Sequence, residues 1–197
     1  QGTPYIYQGE EIGMTNPHFR QITDYRDVES HNMFAEMNAS GRDADELLAI
    51  LASKSRDNSR TPMQWDGSKH AGFTQGEPWI NLCDNAAEIN VAAALRDSDS
   101  VFYTYQKLIA LRKTEPILTW GDYQDLLPDS PHVWCYQREW QGQRLLVVAN
   151  LSNAFHPWQP ENTRDNWQVL MHNYDEVARQ PGAMTLRPFE AIWWLQK

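Results

Sequence analysis

The stretch "GTPYIYQGEEIG", residues 2–13, decides how the rest of the chain is read. Within it, Pro4 to Gln8 is a short apolar and aromatic run stopped by Gly9. A continuous run of this length, bounded by turn residues, predicts a β-strand. Its lack of polar alternation predicts a parallel strand buried on both faces. The chain begins with Gln1 rather than Met and meets this pattern almost at once. Domains rarely open inside an element, and no signal peptide precedes the run, so a piece of a longer chain is expected.

Working outward, two helices follow. The first is expected from Val28 to Met37 and stops at "NASG", where Gly41 can take a positive φ. The second has Asp43 as N-cap with Glu46 three residues on, then Leu47, Leu48, Ile50 and Leu51. It ends near Lys54 and leaves Arg56 just beyond its C-terminus. Residues 55–86 are rich in Pro, Gly, Asp and Asn, a long connection of the kind that usually carries function. A short helix is expected from Asn90 to Arg96. Ser100 to Thr114 has the clearest helical stripes, Val101, Tyr105, Leu108 and Arg112 beside Phe102, Tyr105 and Ile109, and Pro116 ends it.

After Pro116 the pattern changes. Tyr123–Leu127, Val133–Arg138, Leu145–Ala149, Phe155–Trp158, Val169–His172, Met184–Leu186 and Ala191–Leu195 read as short strands separated by turn residues. Gln141-Gly142-Gln143 reads as a hairpin turn. A boundary is therefore expected near residue 115, with α/β material in 1–115 and an antiparallel β-domain in 116–197.

Composition narrows the function classes. A chain of 197 residues with 41% hydrophobic content can bury a real core. Its net charge of −9 argues against a nucleic-acid or anionic-membrane partner. No apolar run approaches the roughly 18 residues a membrane span needs. Cys83 and Cys135 are the only cysteines, distant and without metal-type spacing, which fits a reduced, cytoplasmic protein. The six histidines are scattered, so no metal and no cofactor is expected. Asn38-Ala39-Ser40 and Asn150-Leu151-Ser152 match the glycosylation pattern, which also arises by chance.

Three groups could carry chemistry. Glu10-Glu11 is a carboxylate pair, but neighbours in sequence cannot easily face each other across a sugar, so local hydrogen bonding is the competing reading. Arg56, Asp57, Arg60 and Gln64 in "SRDNSRTPMQWD", residues 55–66, form the second. An arginine fork suits sugar hydroxyls, and Trp65 could supply an aromatic wall. An Arg–Asp network that only pins the loop fits the same residues equally well. The nine tryptophans suggest a carbohydrate surface, although Trp134, Trp140, Trp193 and Trp194 sit in strands with one buried face.

Together, "GTPYIYQGEEIGMTNP", "SRDNSRTPMQWD", "HAGFT", "GEPW", "FYTYQKLIALRK" and "LRPFEA" resemble the α-amylase-type glycoside hydrolases, in the branch that holds oligo-1,6-glucosidases and trehalose-6-phosphate hydrolases. "TDYRDVES", "MHNY" and "LRPFEAIWWLQK" lean to the second of these. The resemblance covers essentially the whole chain. It implies the last strand, a long insertion and the final helix of a (β/α)₈ TIM barrel, followed by a C-terminal antiparallel β-sandwich. It implies a retaining α-glucosidase acting on a small sugar, trehalose 6-phosphate or an α-1,6-linked oligosaccharide. The catalytic carboxylates would lie upstream of Gln1, so the chain alone would be inactive. Arg56 matches the family arginine that holds the glucose on the non-reducing side of the scissile bond. Glu29, in "RDVES", matches a glutamate facing the leaving sugar. A carbohydrate-binding module without catalysis is the reading from a different class.

Overall fold

The computed structural model describes residues 2–161 and 166–197; Gln1, where the expected first strand region opens, lies outside them. The chain forms two compact units, residues 4–108 and residues 2–3 with 109–197.

Residues 4–108 contain no β-strand. The expected strand at Pro4–Gln8 does not form: Tyr5 is 91% exposed, and Ile6 and Tyr7 are exposed as well. A strand exists through ladder bonds to a neighbour, and this unit offers no neighbouring strand. The run leads instead into a 3₁₀ turn, Glu10–Ile12, bounded by Gly9 at φ 92° and Gly13 at φ 76°. Glycine is required at position 9, because a Cβ there would also stand 2.6 Å from Met14 Sδ.

The helices follow the sequence pattern. Helix α1 spans Val28–Ala39 and starts at Asp27, whose side chain accepts from the Ser30 N–H. Helix α2 spans Ala44–Lys54, and Asp43 caps it by accepting from the Asp45 and Glu46 N–H groups. Asp43→Ala should therefore lower stability by about 1 kcal/mol in chemical denaturation, the ordinary worth of an N-cap. Leu51 on α2 joins Phe19, Tyr25 and Ile80 in the core, with Met33, Phe34 and Leu48 packed around them. Tyr25 is fully buried and meets Phe19 edge to face at 5.1 Å. Burial, reinforced by Asp57 and Asp24, pushes its phenol up to about 12. Helix α3 is the single turn Val91–Ala94, capped by Asn90. Helix α4 runs over Val101–Thr114, and none of its residues is buried.

Among the described residues, the unit of residues 2–3 and 109–197 is built on seven strands: β1 Asp122–Asp125, β2 Val133–Trp140, β3 Gln143–Asn150, β4 His156–Trp158, β5 Gln168–His172, β6 Met184–Leu186 and β7 Ala191–Gln196. Each overlaps an expected run, with ends shifted by up to two residues. Five make an antiparallel sheet in the order β1-β2-β3-β7-β5, and β4 pairs with β6. The β2–β3 hairpin closes through Gln141 at φ 47° and Gly142 at φ 83°, the left-handed pair that a two-residue hairpin turn needs.

Alternation assigns the two faces. Val133, Cys135, Leu146, Val148, Ile192 and Trp194 face Trp158 of β4 and Leu186 of β6, giving a small two-sheet core. Trp158 and Trp194 stack with centroids 5.7 Å apart and planes 7° from parallel. Leu145, Val147 and Leu195 face the other way, onto Ile117 and Leu118. Those two residues lie on helix α5, Ile117–Trp120, an element the sequence pattern did not suggest. Pro116 stops α4, yet its fixed φ of −56° also suits it to start the next helical turn. Buried Arg138 closes α5 by donating to the Leu118 and Gly121 carbonyls, the latter at 2.6 and 3.2 Å. Asn150 is 2% exposed and donates to the Ala154 and Arg187 carbonyls, so its sequence motif is not an accessible glycosylation site in this fold.

Candidate functional site

Two helix ends build the site in residues 4–108. The Asp27 cap places Glu29 on the first turn of α1. At the far end of α2, Ser55 accepts from the Asp57 N–H at 3.2 Å and starts a 3₁₀ turn, Arg56–Ser59. Asn58 ties this turn back to α2 by donating to the Leu51 and Ala52 carbonyls at 3.2 and 2.9 Å. The two helix ends meet through a buried hydroxyl pair, Ser30 Oγ and Ser55 Oγ, 2.8 Å apart.

Glu29 and Arg56 emerge side by side from this support. Arg56 Nη2 lies 2.7 Å from Glu29 Oε2, with the side chains 65% and 69% exposed. They border a cleft of about 270 Å³ together with Lys54, Met33 and Ile50. An ion pair this exposed contributes about 0–1 kcal/mol to stability, so stability does not explain why the fold presents it. Chemically it is a five-donor fork with a carboxylate acceptor beside it, a set suited to neutral hydroxyls. The sequence suggested both residues as sugar contacts; that they pair with one another was not legible there.

The rest of the loop constellation braces. Asp57 is fully buried, and its Oδ2 accepts the N–H groups of Arg26 and Asp27 at 2.7 and 2.8 Å. Arg60 reaches Asp57 Oδ1 at 3.4 Å and Asp27 Oδ1 at 3.5 Å. Gln64 is fully buried and donates to the Ile89 carbonyl, with Asn85 Oδ1 at 3.5 Å. Trp65 does not line the Arg56 cleft; its backbone N–H is bound to the Ala71 carbonyl at 2.8 Å. Sequence reading missed Asp27, Ser30 and Ser55 as parts of the site. The available signal was small: Asp27 is a cap-type residue directly before an expected helix.

Glu10 and Glu11 are both engaged in local hydrogen bonds. Glu10 accepts from the Tyr105 hydroxyl at 2.5 Å and the Tyr7 N–H at 3.1 Å, and Glu11 accepts from the Gly9 N–H at 2.7 Å. Those bonds to Glu10, the phenol's first, hold its carboxyl below the usual range. Burial and then the Glu10 bond push Tyr105 up to about 12. Proton exchange near neutrality is not what this arrangement favours.

Comparison with known proteins gives the frame for this geometry. The chain is 75% identical, over its whole length, to a trehalose-6-phosphate hydrolase of Escherichia coli K12 and covers 36% of that protein. It is 47% identical to an oligo-1,6-glucosidase of Halalkalibacterium halodurans, again over its whole length and 36% of the relative. The crystal structure of Bacillus licheniformis trehalose-6-phosphate hydrolase superposes on the entire chain with a TM-score of 0.96 at 46% identity, and the match covers 36% of that structure. The chain thus spans about a third of the length of the relatives it matches. The family model for the alpha-amylase catalytic domain matches residues 1–121, more than half of the 197, and on that match the chain belongs to the alpha-amylase family.

Proposed function

We propose that this chain is part of a retaining α-glucosidase that hydrolyses trehalose 6-phosphate to glucose and glucose 6-phosphate. The observation that carries the reading is the gap in identity, 75% to a trehalose-6-phosphate hydrolase against 47% to an oligo-1,6-glucosidase. In such an enzyme two carboxylates about 5 Å apart act as nucleophile and acid/base through a glycosyl-enzyme intermediate. Glu10 and Glu11 are engaged in local bonds and Glu29 in its ion pair, so bond cleavage falls to residues outside this chain. Arg56 holds the glucosyl ring on the non-reducing side, and Glu29 faces the leaving sugar. Together they contribute orientation rather than proton transfer. Residues 1–115 would be the end of the barrel domain and residues 116–197 the β-domain. The partner is a small sugar, not a nucleic acid or a membrane. No helix among the described residues is long and apolar enough to cross a bilayer. A cytoplasmic setting suits the two buried, free cysteines.

Oligo-1,6-glucosidase activity is the second reading, favoured by several such relatives at 46–47% identity over nearly the whole chain. Glucose release by a full-length protein carrying this chain, given trehalose 6-phosphate and isomaltose in parallel, separates the two. We expect trehalose 6-phosphate to be preferred by about tenfold or more in kcat/KM, and the isolated chain to release glucose from neither. Preference for isomaltose would replace the first reading with the second, and turnover of neither sugar by the full-length protein would defeat both.

A further inference from the structure

We propose that Asp57 is a positioning residue: its buried carboxylate fixes where Arg56 stands relative to Glu29, so sugar binding depends on a side chain that never touches the sugar. The inference rests on the reading of Arg56 and Glu29 as sugar contacts.

Glu29 and Arg56 are far apart in sequence and sit on different elements, the first turn of α1 and the 3₁₀ turn after α2. Their own bond cannot hold those elements in register, because an ion pair about two-thirds exposed is worth only about 0–1 kcal/mol. The residues flanking them can. Asp57 follows Arg56, and its Oδ2 takes the N–H groups of Arg26 and Asp27, directly before α1, at 2.7 and 2.8 Å. Ser55 precedes Arg56, and its hydroxyl meets that of Ser30, which follows Glu29, at 2.8 Å. The anchors of one contact residue are therefore bonded to the anchors of the other.

The carboxylate is the stronger link. Short bonds from N–H donors to an ionised oxygen are about twice as strong as neutral ones, and Asp57 has no exposed surface across which water could compete. Asp27 extends the link, since the residue whose N–H is bound by Asp57 also caps α1. A shift of Asp57 would therefore move the helix start that carries Glu29. Arg60 contributes differently: through a long hydrogen bond to Asp57 Oδ1, at 3.4 Å, its guanidinium balances the buried charge.

A kinetic double-mutant cycle in the full-length enzyme tests this, with trehalose 6-phosphate as substrate. Asp57→Ala should lower kcat/KM about tenfold, mainly through KM, because small misplacements of a binding group are expensive. Asp57→Asn keeps one acceptor oxygen for the two N–H groups and should recover most of the loss. Combined with Arg56→Ala, Asp57→Ala should cost clearly less than it does alone, because the part of its effect that passes through Arg56 is already gone and only the part that reaches Glu29 remains. If Asp57→Ala fails to fold, Ser30→Ala takes its place in the cycle, with an expected loss of about threefold that is likewise non-additive. Losses that multiply in the double variant, or wild-type kcat/KM for a folded Asp57→Ala, would overturn the inference while leaving the sugar-contact reading intact. Wild-type kinetics for Arg56→Ala alone would defeat that reading itself, and the inference with it.

Discussion

Trp194→Ala should destabilise the unit of residues 109–197 by about 3–5 kcal/mol, the cost of truncating a buried aromatic side chain. Trp194 has no exposed surface and lies at the centre of the two-sheet core. The substitution removes the stack on Trp158 and the indole N–H bond to the Ala178 carbonyl at 2.9 Å. Val148, Ile192 and Leu186 would line the space left behind. A domain of this size is held by about 5–15 kcal/mol in all, so a loss of this order is a large share of what exists. Chemical denaturation should show a markedly lower midpoint, and near-UV circular dichroism should lose its aromatic bands. Trp134→Ala is the control, because Trp134 is exposed and its removal opens no cavity. Equal destabilisation by the two substitutions would mean that the β4–β6 pair is not a true second layer.

The sequence carried most of this unit, for a physical reason. Strand residues that bury one face alternate, and turns between strands demand Gly, Asn or Asp, so each of the seven runs was marked along its length and at its ends. The α5 turn was not, because Pro116 reads as a stop signal even though its backbone angle also begins a helix. Arg138 gave no signal either: an arginine in a strand looks solvent-facing until the α5 carbonyls it covers are in place. Pro4–Gln8 failed in the opposite direction. Its composition is that of a buried strand, but composition cannot provide the neighbour to which a strand must bond, and Tyr5 stands in solvent. The site divides in the same way. Arg56 and Glu29 are candidates that the resemblance supplies, whereas the buried bonds from Asp57 to Arg26 and Asp27 are long-range contacts that no local pattern encodes.

On the proposed function, Arg56→Ala in the full-length protein should lower kcat/KM with trehalose 6-phosphate roughly tenfold to a hundredfold or more. A hydrogen bond from a charged donor is worth about 1.5–3 kcal/mol, and tenfold in rate corresponds to about 1.4 kcal/mol. The same substitution should barely move the melting temperature, because the Glu29 pair is exposed. That split separates a contact residue from a brace. Arg56→Lys sharpens the test. A lysine can still pair with Glu29 as a point charge, but it loses the planar fork, so it cannot hold Glu29 and present two further aligned donors to a ring. Activity should therefore recover only slightly, although the charge is restored. Arg60→Ala should behave in the reverse way. Arg60 balances the buried charge of Asp57, and its loss should be felt in stability before it is felt in KM. Near-wild-type kcat/KM for Arg56→Ala, with activity lost only through Arg60, would transfer the site from the exposed pair to the buried network. Arg56 would then be an ordinary surface residue.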